Sequence, residues 1–411
     1  MACPTSVPMM SLVEEELGGP TVFKDLAKLD FDHVPEELPH RDDAVRFLSR
    51  TYRGLTQGGT REHALLWGSV GTGKTVVAKR FGQDFKAALA RQGKRFEYVH
   101  VNCRRRKSSS LAMLGILNHF EPHYPERGFS VGEMMRDLRK HLERRECHLM
   151  VILDEVDALL RADGSNLVYD LTRFNDEVGQ HWVGVSLVLI SQQQVLEHLD
   201  DAALSTFGRG NVYKMEPYVG EQIEAIIEQR VGLAFQPGTV EPDVVGLIGD
   251  IAGQAPGGSR GGPGDARLGI ELLRLAGVHA DDERRDMVVA DDVRTAKAST
   301  YSVVTETKLR DQPKHPLLVL TALARRLARD GGAYATTGEV EKTYALVAEE
   351  HGETARGHTQ FWKYLKQLED AGFLYAKLSG KGQAGTTQWL SIPDVPTHIL
   401  EEKISGILAE M

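Results

Sequence analysis

The sequence predicts an α/β fold in three parts: a three-layer domain on a parallel sheet, an all-helical second domain, and a smaller C-terminal domain of three helices and a β-hairpin. Three observations carry this reading. The apolar runs HALLW, EYVHVN, HLMVILDE and WVGVSLVLIS alternate with helical stretches as far as residue 191, the pattern of strands covered by helices on both faces. After Pro217 the strand signal stops, and IEAIIEQRVGLAF, VVGLIGDIAGQA and ARLGIELLRLAGVHA carry apolar residues at three- and four-residue spacing. From His315 onward three amphipathic helices precede two strand-like runs, FLYAKL and TTQWLSI, joined by SGKGQAG. The expected boundaries are a frayed leader over 1–20, the sheet domain over 21–217, the helical domain over 218–300 and the last domain over 301–411.

Composition narrows the functional classes. Of 411 residues 41% are hydrophobic and 26% charged, so there is material for proper cores and no case for wholesale disorder. The 49 Lys and Arg against 58 Asp and Glu leave a net charge of −9, so any nucleic-acid site must be a local patch. Cys3, Cys103 and Cys147 are odd in number and lack a C-x-x-C pair, which argues against a disulfide framework or a zinc site. Glu14, Glu15 and Glu16 interrupt the apolar character of the start, which is not that of a signal peptide. No stretch reaches the ~20 apolar residues of a membrane-spanning helix, and a cytoplasmic protein without a membrane partner is expected.

The first element, HALLW, leads into Gly68-Ser69-Val70-Gly71-Thr72-Gly73-Lys74-Thr75 and then the helical pattern VVAKRFGQDF. This is G-x-x-x-x-G-K-[ST] in a strand-loop-helix context, a P-loop. Its glycines let successive N–H groups turn inward to phosphate oxygens, and the helix N-terminus adds partial positive charge. Lys74 is placed to reach the β and γ phosphates of ATP, or the β phosphate of ADP, and Thr75 to join a Mg2+ shell.

The third run ends Val151-Ile152-Leu153-Asp154-Glu155, the Walker B form, which delivers two acids at the carboxyl edge of the sheet, where ligands bind in open α/β folds. Asp154 is expected to hold the metal and Glu155 to orient or deprotonate the attacking water. The fourth run ends Ser191-Gln192-Gln193, and an amide at that strand tip can touch the γ-phosphate or the water. Downstream, GQAPGGSRGGPGDA is too rich in Gly and Pro for helix or strand and reads as a loop.

HPLLVLTALARRLARDGG and TGEVEKTYALVAEEHG read as helices, the second closed by Gly352. HTQFWKYLKQLEDAGFL reads as a third, with Phe361, Leu365 and Leu368 on one face and Gly372 ending it. Three helices and a hairpin form a winged helix, whose third helix enters a DNA groove. That helix, Thr359 to Ala371, leaves His358, Gln360, Lys363, Lys366 and Gln367 outward. From Thr354 to Ser391 the cations Arg356, Lys363, Lys366, Lys377 and Lys381 face two acids, a local net of +3. Lys381 lies in the wing, and Arg104-Arg105-Arg106-Lys107 is the densest basic run in the chain.

Together G-S-V-G-T-G-K-T, V-I-L-D-E-V-D-A-L-L, L-S-T-F-G-R-G-N-V-Y-K-M-E-P-Y, G-D-A-R-L-G-I-E-L-L-R-L-A-G and the winged helix resemble the archaeal origin-recognition and cell-division-control initiators, AAA+ ATPases, from about residue 22 to 395. F-D-H-V-P-E-E-L-P-H-R-D-D resembles their N-terminal segment. The resemblance implies Arg267 as sensor 2 of a lid domain, Gln192 as sensor 1 where the family usually has Asn, and Arg209 as a finger offered to a neighbouring subunit. It implies nucleotide contacts at Arg41 beside His40, near the adenine, and at Val76, Tyr218 and Arg230. A helical insertion at about Ser109 to Ser130 would also touch DNA. The implied function is a nucleoid-associated replication initiator and weak ATPase that binds double-stranded origin DNA, acts with other initiator copies and loads the replicative minichromosome maintenance helicase, with slow hydrolysis as a switch. The alternative is a winged-helix ATPase acting as a transcriptional or signalling regulator.

Overall fold

A computed structural model describes residues 19–57, 62–176, 182–199, 204, 207, 210–255, 262–300, 306–378 and 388–411. They form two compact units. One is Asp32–Tyr218 with Pro263–Ala266; the other comprises the described parts of Met1–Phe31, Val219–Gly262 and Arg267–Met411.

In the first unit α1 (Asp42–Thr51) precedes β1 (His63–Trp67), α2 (Lys74–Ala90), β2 (Arg95–Asn102), α3 (Ser109–Leu117), α4 (Val131–Arg145) and β3 (Cys147–Asp154). Then come α5 (Val156–Asp163), α6 (Asn166–Thr172), β4 (Gly184–Ser191) and β5 (Val212–Lys214). The five parallel strands lie in the order β2-β3-β4-β1-β5. Every residue of β3 and β4 is buried, as the continuous apolar runs predict. Period-two alternation sends Val151, Leu153, Leu187 and Leu189 to a core shared with α3 to α6. It sends Met150, Ile152, Val188 and Ile190 to one shared with α1 and α2. Each such side chain contributes about 1.5–3 kcal/mol by leaving water.

Register sets up the site. Asn102 is opposite Asp154 and Trp67 opposite Ser191, so four strands end level at one edge. The edge strand β5 has no counterpart among the sequence expectations, because three residues are too few to show alternation.

The second unit opens with the segment expected in the sheet domain. Residues 21–31 instead pack on helices of the lid. Phe23 bridges Phe235 with ring centroids 4.7 Å apart, and Thr21 donates to Asp281. The lid helices are α7 (Gly220–Ala234), α8 (Pro242–Ala252), α9 (Ala266–Asp282) and α10 (Ala290–Thr300). Next come α11 (Glu306–Arg310), α12 (Lys314–Asp330), β6 (Ala335–Thr336), α13 (Thr337–Glu350), α14 (His358–Ala371), β7 (Tyr375–Leu378), β8 (Gln388–Ser391) and α15 (Thr397–Glu410). The sheet has three antiparallel strands, β6-β8-β7, one more than the expected hairpin. The closing helix α15 is also additional: Leu400, Ile404, Ile407 and Leu408 bury into the same core as α12.

Lid and winged helix are joined by polar bonds within this unit. Arg294 of α10 is 1% exposed and donates to the carbonyls of Ile392 (2.8 Å), Ala333 (3.1 Å) and Gly332 (3.2 Å), while pairing with Asp291. Asp291 also accepts from the Thr397 N–H, Asp243 from the Ala333 N–H, and Asp250 from the Tyr334 hydroxyl.

Candidate nucleotide site and nucleic-acid interface

The loop after β1 folds as its glycines require. Gly71 (φ 73°) and Gly73 (φ 86°) are left-handed, a region costing an L side chain roughly 1–2 kcal/mol. Space is also closed: a Cβ on Gly71 would lie 1.6 Å from Asp265 Oδ1, and one on Gly73 2.8 Å from the Tyr218 hydroxyl. The Ala266 N–H donates to the Gly71 carbonyl at 3.1 Å, tying residues 263–266 to the loop. Gly71→Ala is therefore expected to lower ATP affinity at least about tenfold, since ~1.4 kcal/mol of strain suffices for that factor. Titration calorimetry with circular dichroism checks it; unchanged affinity would remove the tight turn from the account.

Lys74 Nζ donates to the carbonyls of Gly68 (2.8 Å) and Ser69 (2.6 Å), so its ammonium stands over the loop. Arg41, expected beside the adenine, is buried and committed to protein. It donates to the carbonyls of Thr72 (3.0 Å), His40 (3.1 Å) and Glu216 (3.0 Å), and its guanidinium lies 3.5 Å from the centre of the Tyr218 ring. Arg41 thus ties the loop to Glu216, with the Tyr218 ring against its guanidinium. Ser69 and Val70 are exposed on the loop, Thr72 is buried, and Val76 follows in the first turn of α2.

Thr75 Oγ1 donates to Asp154 Oδ2 at 2.7 Å, His100 Nε2 lies 2.9 Å from the same oxygen, and the Glu155 N–H donates to Oδ1 at 2.9 Å. Burial opposes ionisation of Asp154, but the bonds from His100 and Thr75 outweigh it and hold the carboxyl below the usual range. A hydroxyl beside an ionised carboxylate is the hard oxygen pair that Mg2+ takes. Among the described residues no three His, Cys, Asp or Glu side chains cluster to hold a metal, so an ion at this pair would complete its shell with phosphate oxygens and water.

Glu155 occupies the left-handed region (φ 53°, ψ 44°) at the start of α5, which turns its side chain out of line with β3. Asn102 Nδ2 stands 3.5 Å from one of its oxygens and Arg104 Nη1 3.6 Å from the other. Gln192 lines the same cleft as Glu155. Sequence reasoning missed His100, Asn102 and Arg104 as neighbours of the acids. The signal was there: polar residues close EYVHVN where the apolar pattern ends.

The other residues expected at the nucleotide have these surroundings. Arg230 is buried in α7 and donates to the Lys28 carbonyl at 2.6 Å. Arg267, in the first turn of α9, places its guanidinium 5.4 Å from the centre of the Phe31 ring. Arg209 and Lys381 lie outside the described residues.

On α14, Phe361, Leu365 and Leu368 are buried, while His358, Gln360, Lys363, Lys366 and Gln367 are exposed. Several are engaged. His358 Nε2 accepts from the Trp362 indole (2.9 Å), so Nδ1 carries the proton it shares with Glu341 (2.9 Å). Lys366 pairs with Glu369 at 3.0 Å, and Gln367 bonds Gln312. Arg356 Nε donates to His315 Nε2 at 3.0 Å. Lys377 pairs with Asp250 of the lid at 3.2 Å. Lys363 is exposed and has no acidic partner among the described residues.

A five-stranded parallel sheet bearing this loop and acid pair, with a helical lid and a winged helix, defines an AAA+ protein with a C-terminal winged-helix domain. Family models for an AAA domain, a Cdc6 AAA+ ATPase-type lid domain and a CDC6 C-terminal winged helix domain match residues 56–199, 224–298 and 307–402. The chain belongs to the ORC1-type DNA replication protein family. It is 33% identical over 396 residues to ORC1-type DNA replication protein 2 of Sulfurisphaera tokodaii, covering 93% of this chain and 92% of that one. With the protein of the same description from Saccharolobus solfataricus it shares 31% identity over 377 residues, 90% of each chain. Among solved structures it is similar to Cdc6p from Pyrobaculum aerophilum (TM-score 0.81, 26% identity, 95% of this chain and 99% of that one). It is also similar to the Aeropyrum pernix ORC1 protein in complex with DNA (TM-score 0.60, 29% identity, 94% and 97%). A third is the Aeropyrum pernix ORC2 protein in ADPNP-ADP complexes (TM-score 0.61, 25% identity, 94% and 98%).

Proposed function

We propose that this protein is a DNA replication initiator that binds double-stranded origin DNA under the control of bound ATP and, with further copies on DNA, recruits the replicative minichromosome maintenance helicase. The observation that carries the reading is the Lys74, Thr75 and Asp154 constellation on a chain that ends in a winged helix and belongs to a family of DNA replication proteins. The solved relatives with DNA and with ADPNP and ADP support both ligands.

Mg2+, when bound by Thr75 and Asp154, neutralises charge on phosphate oxygens. The chain does the rest. The loop N–H groups and Lys74 bind and orient the phosphates, Glu155 takes a proton from water, and Gln192 orients that water. Arg267 and Arg209 supply positive charge as the phosphate bond breaks. On this reading hydrolysis is slow and serves as a switch between DNA-bound states.

The test is a footprint on genomic fragments with ATP and with ADP. Protection of repeats beside a replication origin is expected; protection confined to promoters would establish a transcriptional regulator instead. Lys363→Ala with Lys366→Ala is expected to weaken binding and to flatten the slope of log affinity against log salt by roughly 0.9 per lysine, about two in all. An unchanged slope removes α14 from the DNA interface.

A further inference from the structure

Arg356 is exposed and stands just before Gly357, the N-cap of α14. Two of its donors are fixed by two neighbours. Its backbone N–H donates to the Tyr344 hydroxyl at 3.2 Å, and its Nε–H to His315 Nε2 at 3.0 Å. An arginine Nε can only donate, so His315 Nε2 must accept, which puts the imidazole proton on Nδ1, 2.8 Å from the same Tyr344 hydroxyl. The His315 side chain is 13% exposed, and its ring lies parallel to that of Tyr364 of α14 with centroids 5.8 Å apart. Tyr344 is buried in α13. Helices α12, α13 and α14 thus hold this imidazole in one orientation and one tautomer.

The charged groups around the ring set its protonation. Lys314 and Arg356 oppose a charge on it and Glu353 favours one, but Glu353 Oε1 is held by Lys314 at 3.0 Å and Oε2 lies 3.8 Å from Nε2. Burial first, and then Arg356, hold His315 below the usual histidine range. Neither Nη group of Arg356 has a hydrogen-bond partner among the described residues. A guanidinium tethered through Nε has its rotamer already ordered, and its Nη pair matches two oxygens of one phosphate. We propose that His315 is a positioning residue of the DNA interface: its unprotonated Nε2 holds Arg356 with both Nη groups available to a backbone phosphate at the start of α14. Protonation undoes this, because Nε2–H repels Arg356 and turns to Glu353. The assignment rests on the DNA-binding reading above and goes beyond it, since His315 acts through Arg356 and touches no DNA itself.

The full chain is titrated at low salt into a short fluorescein-labelled DNA duplex of mixed sequence and read by anisotropy, since a phosphate contact needs no particular sequence. Arg356→Ala is expected to lower affinity about tenfold and to flatten the slope of log affinity against log salt by roughly 0.9. His315→Phe keeps a ring on Tyr364 but offers no acceptor. It is expected to lower affinity about three- to tenfold, the effect of leaving one long side chain unordered, and to add nothing to Arg356→Ala in the double variant. His315→Gln, whose acceptor does not titrate, is expected to bind within about twofold of the wild type. The ratio of wild-type to Arg356→Ala affinity is expected to be full above about pH 6.5 and to fall towards one below it, whereas on the His315→Gln background it stays level. Circular dichroism checks each fold, and the pH ratio, read without any change at 315, decides the matter if His315→Phe does not fold. Binding that His315→Phe leaves unchanged, or weakens equally with and without Arg356, overturns the assignment, as does a wild-type ratio level across pH. No duplex binding by the wild type overturns the DNA-binding reading itself and the assignment with it.

Discussion

Glu155→Gln is expected to leave ATP bound and to cut its turnover by about 10²–10⁴-fold, the range that a positioned general base contributes. The structure separates the two effects. On the proposed reading affinity comes from the loop, Lys74 and Thr75, none of which bonds the Glu155 side chain among the described residues. The backbone that aims residue 155 is anchored by its own N–H on Asp154 Oδ1, a bond the substitution leaves in place. Gln keeps the length and shape of the side chain and can still accept from Asn102 through its amide oxygen. It lacks only a carboxylate able to take the proton of water. Single-turnover hydrolysis beside a nucleotide titration checks this, and turnover within threefold of the wild type would move the base elsewhere.

Arg294→Ala is the second large effect, a loss of about 3–5 kcal/mol in the stability of the lid and winged-helix unit. The guanidinium is 1% exposed and spends its donors on three carbonyls and one carboxylate. Truncation removes all of these partners and leaves a cavity, and the buried carbonyls have no alternative donor in reach of a methyl group. Arg294→Lys recovers only part, because an ammonium cannot span carbonyls that the planar fork reaches together. Urea titration followed by hydrogen exchange over residues 306–411 reads the loss. A change below about 1 kcal/mol would mean that apolar packing alone joins the two domains.

Much of this was legible beforehand, and for identifiable reasons. β3 and β4 announced themselves because a strand covered on both faces needs an unbroken apolar run. The loop after β1 was legible because close approach to phosphate demands glycine at set intervals. Gly372, left-handed at φ 82°, ends α14 where its C-cap was expected.

Other features depend on who stands opposite, which no local pattern records. Arg41 meets a carbonyl 175 residues away, and Arg294 one 98 residues away. Composition marks them as cations but not as braces. Segment 21–31 was assigned to the nearer domain in sequence, yet Phe23 finds its partner at Phe235. By contrast α15 could have been found: Leu400, Ile404, Ile407 and Leu408 follow Pro396 at helical spacing. In the winged helix the cations were found by type, but Lys366 and Lys377 turned out to be held by acids on the same unit.

The bonds between α10 and the C-terminal domain bear on how such a chain can be dissected. A protein shortened to end near residue 305 loses the carbonyls of Ile392, Ala333 and Gly332, and with them every backbone acceptor of Arg294. It also uncovers Asp243 and Asp250, whose donors Ala333 and Tyr334 belong to the deleted part, and takes the Thr397 N–H from Asp291. Weak DNA affinity in that shortened protein would then report a frayed lid as much as a missing reading head, and point substitutions on α14 are the cleaner instrument.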